Sequence, residues 1–312
     1  MSVNVVMQAS TCRSGLRFLK PIHSFSSQGA CQLAAPQQNQ NLDLPHRLHV
    51  SLEALERSRT SLHDFCISHF MFHGLDPSNH EHNFKYLPVL AFTEAYVYEV
   101  DVEYEKALKK MQDIHDPVND VDPFYGLKLE LAARNLWTDR MANELLKGCH
   151  YLKLEQSICR SGPEDQISIL DARRALEFKS ADYKLLNLLL YKMRGEEVNE
   201  FHFCFLELSN LLVELADNLS DYEEDVKDNS FNIVRVFYKV YGPKLGSQML
   251  AEYISAVKLR FEEKLNKLEP ELREKFPIRY QEELSRGKSI AEIWEVPPFI
   301  DETPYSALVS SK

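Results

Sequence analysis

Apolar positions along this chain recur mostly at helical spacing, and alternation of strand type is scarce. Leu48, Leu52, Leu55, Leu62 and Phe65 predict a helix across LHVSLEALERSRTSLHDFCISHFMF. GLDPSNHEHNFKYLP then reads as a loop from its Gly, Pro, Asn and His content. VLAFTEAYVYEVDVEYEKALKKMQ resumes as a helix, and DIHDPVNDVDPFYG breaks it with Pro and Asp. Shorter helices follow over LKLELAARNLWTDRMANELLKGCHYLKLEQSICRSG. SILDARRALEFKSADYKLLNLLLYKMRG predicts one helix stopped by Gly195. EEVNEFHFCFLELSNLLVELADNLSDYEEDV predicts the longest and most apolar helix of the chain. FNIVRVFYKVYGPK has strand-like composition, but its surroundings predict helix, and two more helices fill the stretch to Gly287. The Pro-rich end, from Val296, reads as irregular.

Composition narrows this pattern to an all-α protein. A 312-residue chain with 10 Gly and 14 Pro can build a sizeable helical core. Forty-seven acids against 36 bases give a net charge of -11, which repels phosphate backbones and argues against nucleic acid as a partner. No apolar run reaches the roughly 18 residues a membrane span requires. The six cysteines form no CxxC pair and read as thiols of a reducing compartment. Residues 1–42 carry Arg13, Arg17 and Lys20, no acid, and much Ser and Gln. Such a leader predicts an organelle transit peptide, with the plastid stroma favoured and mitochondrion or cytoplasm as alternatives; an ordinary disordered tail is the plainer reading. The helical domain is expected over 43–295 and an irregular tail over 296–312.

Chemistry concentrates in ELADNLSDYEEDVKD. Asp217, Asp221 and Asp225 stand at i, i+4 and i+8, a nearly straight row on one helix face. Like charges repel at that spacing, so the row is either a solvated helix end or a seat for a cation. The apolar stripe Phe201, Phe205, Leu208, Leu212 and Leu215 runs up to the row, so Asp217 is expected to be partly desolvated. Oxygen donors of this kind suit Mg²⁺, which keeps waters and is often completed by substrate phosphates.

DNLSDYEED resembles the second metal motif of the class I isoprenoid synthases, the terpene synthases and trans-prenyltransferases. Asn218 stands where the prenyltransferase motif has its second Asp. FKSADYKLL, upstream, is similar to the element that holds diphosphate, with Lys179 in the lysine position. Arg173 and Arg174 fall roughly where terpene synthases keep a diphosphate-sensing arginine, and Arg279-Tyr280 is similar to their late Arg-Tyr pair. For the first motif the best match is EVDVEYE, with Asp101 and Glu105 on one face beside Glu94 and Tyr98. Val102 replaces the expected second Asp there, and the Arg-Arg-Gly of chain-elongating enzymes does not follow.

The resemblance implies a single-domain bundle of the isoprenoid-synthase type. It implies Mg²⁺, with Mn²⁺ as the alternative, held by Asp217, Asp221, Asp225, Asp101 and Glu105, and a prenyl diphosphate gripped by Lys179, Arg173, Arg174 and Arg279. Diphosphate release would leave an allylic cation to cyclise, eliminate or be captured. The rivals are a catalytically silent helical binding or scaffold protein on the same bundle and a prenyltransferase subunit in a homo- or heterodimer. His69 and His73, at i,i+4, could hold a transition metal, but without HExxH they read as loop polarity and helix capping. Tyr96, Tyr98, Tyr104, Phe201, Phe203 and Phe205 would line a hydrocarbon cavity or simply fill the core.

Overall fold

A computed structural model describes residues 49–110, 122–161, 165–276 and 289–302. The leader and Arg279-Tyr280 therefore lie outside the described residues, as does the side chain of Glu105. Among the described residues every regular element is helical and there is no strand. In chain order the helices are α1 (Leu52–His69), a 3-10 turn (Phe70–His73), α2 (His80–Lys110), α3 (Tyr125–Ala133), α4 (Asp139–Arg160), α5 (Ile169–Lys179) and α6 (Ala181–Arg194). They continue with α7 (Glu200–Ser220), α8 (Tyr222–Asp228), α9 (Ile233–Leu265), α10 (Pro270–Lys275) and α11 (Ile290–Ile293).

Local chemistry sets the starts and stops. Ser51, Thr138, Ser168, Asn199 and Asn232 each accept a backbone N–H in the first turn of the helix they open, satisfying donors that would otherwise be orphaned. Gly195 ends α6 in the left-handed region, φ 70°. Three boundaries depart from the sequence pattern. The predicted loop 74–88 shrinks, because the Asn79 side chain accepts from Glu81 and His82 N–H and starts α2 there, with Pro88 inside the helix. The single helix predicted over 168–195 is two, divided at Ser180. The helix expected to be longest breaks at Asp221 into α7 and α8, and both α2 and α9 exceed α7 in length.

α9 kinks at Gly242, φ 78° and ψ 170°, before Pro243, which has no N–H to donate. The fold-back is close: a Cβ on Gly246 would stand 2.8 Å from the Phe237 carbonyl oxygen.

Two main apolar cores result, beside a smaller cluster of Phe72, Phe205, Leu206 and Leu268. One gathers Phe65, Leu90, Leu127, Leu145 and Leu189 from α1, α2, α3, α4 and α6. The other gathers Leu176, Leu215, Val234, Phe237 and Ile254 from α5, α7 and α9. Residues 289–302 lie across the second core as a strap, with Trp294, Val296 and Ile300 packed on it. The strap is pinned by polar contacts. Tyr238 Oη donates to the Pro297 carbonyl, 2.5 Å, Tyr222 Oη accepts from Ile300 N–H, 3.2 Å, and Arg235 grips both oxygens of Glu302, 3.0 and 2.9 Å.

Candidate functional site in an acidic interior seam

Ionisable side chains run from the surface end of α7 into the bundle interior. Asp217 and Asp221 are exposed and Asp225 is half-buried, so the expected desolvation of Asp217 does not occur. The apolar stripe of α7 ends one step round the helix, with Leu215, Ala216, Asn218 and Leu219 taking the buried positions. Asp225 is the desolvated member. Burial raises its pKa, opposed by the Asn232 amide, 2.9 Å from Oδ2, and by the charge of Lys179.

Asn218 has a structural task that an Asp could not fully take over. Its Nδ2 donates to the Glu214 carbonyl, 2.8 Å, and its Oδ1 accepts from Ile233 N–H, 2.7 Å. Its own carbonyl accepts from the Asn232 amide, 2.7 Å. Asn218 thus ties the end of α7 to the start of α9.

One layer further in, the Lys179 ammonium bonds Glu214 Oε2 at 3.0 Å, and Ser180 Oγ donates to Oε1 of the same carboxylate at 3.1 Å. The Ser180 break aims both groups at α7. Glu214, with Asp217 and Glu155 nearby, raises the Lys179 pKa against the opposing cost of burial. Tyr151 on α4 donates to Glu155, 2.8 Å. Burial and the charges of Glu155, Asp101 and Glu214 lift its phenol well above the ordinary range. Asp101 on α2 and Glu214 on α7 therefore both lie within electrostatic range of one hydroxyl. Acids of the two helices that the sequence singled out thus share one electrostatic neighbourhood, with Glu214 and not Asp217 as the less exposed member on α7.

The seam ends in the core. Glu94 of α2 is 0 % exposed and neither carboxyl oxygen meets a donor. Asp182 of α6 lies within hydrogen-bonding reach. Burial and the Asp182 charge push the Glu94 pKa well up, and burial raises Asp182 to about 6. Tyr98, whose hydroxyl shares a 2.5 Å hydrogen bond with Ser61 Oγ, is also raised by burial, with Asp182, Glu94 and Asp101 nearby.

The other candidates have their own partners. The Arg173 guanidinium lies over the rings of Tyr253 and Phe237, 4.5 and 5.7 Å from their centroids, on the α9 side. Arg174 is exposed and pairs with Asp171, 3.3 Å. His69 and His73 are bridged by Asn187, at 2.7 and 3.0 Å, and burial lowers His73 to about 4. Phe205 stacks among Phe72, Phe261 and Phe276. It sits about 18 Å along α7 from Asp217 at 1.5 Å per residue. Tyr96 and Tyr104 donate to backbone carbonyls of Pro123 and Leu152.

Sequence reasoning missed Asp182 and Glu155. An Asp in the first turn of a helix is ordinarily read as favourable to the helix dipole, and nothing local distinguishes one that also faces a buried glutamate.

Among the described residues no three His, Cys, Asp or Glu side chains stand close enough to hold a metal ion by themselves. The exposed oxygens of Asp217 and Asp221 fit a cation that keeps its waters and completes its shell from a bound anion, and do not make a closed cage. No helix among the described residues is long and apolar enough to cross a membrane. The chain matches no family model, no curated protein and no solved structure.

Proposed function

We propose that the mouth of the acidic seam is a cation-assisted site for a prenyl diphosphate, with release of diphosphate as its chemistry, on a bundle of the isoprenoid-synthase type. The observation that carries this reading is Lys179, 3.0 Å from Glu214 on the helix that also presents the exposed Asp217, with Asp101 of α2 in electrostatic range of the same Tyr151 hydroxyl that Glu214 acts on. Asp217, Asp221 and Asp225, with Asp101 and Glu105 of α2, would hold Mg²⁺ or Mn²⁺. The bound ion supplies charge neutralisation of the leaving diphosphate. Lys179 would donate to diphosphate oxygens after exchanging its contact with Glu214, which raised negative charge at the mouth favours. The apolar walls on either side of the seam would keep water from the departing group. A plastid enzyme acting alone or as a dimer is the setting that fits a basic, Ser-rich leader.

A second reading is a helical binding or scaffold protein without chemistry. The ties that Asn218 and Asp225 make to the start of α9, and the stacking of Arg173 on α9, favour it. One experiment separates the two. The chain from about residue 43 is incubated with geranyl, farnesyl and geranylgeranyl diphosphates, with and without Mg²⁺, beside an Asp217→Ala, Asp221→Ala variant. Mg²⁺-dependent diphosphate release that the variant loses supports the first reading. Neither release nor Mg²⁺-dependent binding of any of the three leaves the scaffold reading.

A further inference from the structure

The deepest part of the seam has an accounting problem that the diphosphate reading does not touch. Three carboxyl oxygens are buried without a donor: both of Glu94 and Oδ1 of Asp182. A buried acceptor left unmatched is costly, and a buried unpaired carboxylate more so. The helices packed on α2 and α6 bring ionisable and polar groups, yet none gives Glu94 a donor. From α1, Ser61 is bonded to Tyr98, and Asp64 accepts from Tyr183, 3.0 Å. On α2 itself, Tyr98 and Asp101 stand one and two turns on. Tyr151 and Glu155 of α4 bond each other, and Glu214 of α7 accepts from Lys179 of α5. Lys179 is thus already engaged, as is Lys184 of α6, which donates to the Glu177 carbonyl, 2.8 Å, and pairs with Glu207.

A single proton removes two of the three orphans and one of the two charges. If Glu94 carries it, its hydroxyl can donate to Asp182, and two unmatched carboxyls become one charge-assisted hydrogen bond. The α6 end decides which partner is the anion. Asp182 lies in the first turn of α6, where the helix N-terminus favours negative charge. Glu94 lies mid-helix in α2, fully buried, with no such help.

The geometry points to a buried proton-binding site in which Glu94, as the neutral acid, donates to the Asp182 carboxylate and so joins α2 to α6. Its ligand is one proton, held at neutral pH and given up to solvent on the alkaline side. Loss of that proton leaves two like charges face to face inside the bundle, with Glu214 as a third nearby. The sign follows from linkage. Glu94 and Asp182 both have raised folded pKa values, so their contribution to stability is full below the unfolded pKa of about 4. It is lost as pH rises through the folded values.

Infrared spectroscopy of the full chain in D₂O tests this directly, by the carbonyl stretch of a protonated carboxylic acid. At about pH 7, well above ordinary carboxyl pKa values, the wild-type chain should show this band. The band should titrate away on the alkaline side together with the thermal midpoint. Glu94→Gln, whose amide can still donate to Asp182, should lose the band and flatten the midpoint's dependence on pH. Asp182→Asn should keep a band at a shifted frequency, and serves as the assignment should Glu94→Gln fail to fold. A wild-type chain without the band at neutral pH overturns the inference. So does a band that neither substitution removes or shifts. The diphosphate assay is read separately, so either proposal can fail while the other stands.

Discussion

Asn218 is the residue at which resemblance and physics part most clearly. The prenyltransferase pattern would have an Asp there. The structure uses the amide in both directions, donating to Glu214 and accepting from Ile233. Asn218→Asp keeps the acceptor, loses the donor and adds charge beside Asp225. It should destabilise the chain by about 1–3 kcal/mol, the range for a buried group left unmatched, as read by urea unfolding. Equal or higher stability would show that the amide donor is dispensable. A second test at this scale concerns Lys179 and Glu214, whose side chains are 35 % and 16 % exposed. Partial exposure screens their attraction, so the pair should couple by no more than about 1 kcal/mol in a double-mutant cycle of Lys179→Met and Glu214→Gln. Coupling several-fold larger would mean that the seam behaves as dry interior.

At the scale of elements, the strap and the kinked α9 make the sharpest predictions. Burial alone would raise the Glu302 pKa, but the hydrogen bonds and charges of Arg235 and Lys239 outweigh it and hold the carboxyl low. A depressed acid stabilises above its unfolded pKa and loses that contribution as pH falls through the folded value. The strap should therefore loosen below about pH 4, seen as a change in Trp294 fluorescence in a Trp137→Phe background. Glu302→Gln should move that transition or abolish it. Gly246→Ala should cost about 1–3 kcal/mol through overpacking against the Phe237 carbonyl, measured by thermal unfolding.

Most helices and the Gly195 stop were legible because each rests on residues within a few positions of one another. The breaks at Ser180 and Asp221 were not. The apolar pattern runs through both without changing period, and the divisions follow from tertiary demands. α5 packs on α4, α7 and α9, whereas α6 packs on α2, α4 and α7. The acid row was legible as a row, but not which members face inward, since that depends on where the second core ends. Glu94 was visible on the Asp101 face; its partner Asp182 lies 88 positions away and carries no local mark.

For the whole molecule, charge governs. A net charge of -11 on a bundle that also collects carboxylates between its two cores makes self-repulsion a standing cost. Added salt should raise the thermal midpoint by screening the exposed acids. Under the diphosphate reading, Mg²⁺ together with a prenyl diphosphate should raise it beyond what Na⁺ gives at equal ionic strength, through ligand linkage. The excess should vanish in the Asp217→Ala, Asp221→Ala variant.

The strap also bears on how the protein is made. Translation delivers α7, α8 and α9 before the segment that seals them. Until residues 289–302 have followed them out of the ribosome, the seats of Trp294, Val296 and Ile300 are open apolar ground, and Arg235 lacks the carboxylate that neutralises it. A nascent chain paused at that point presents the kind of surface that chaperones hold and that drives aggregation. Synthesis of this protein should thus be most vulnerable late, after nearly all of its helices already exist.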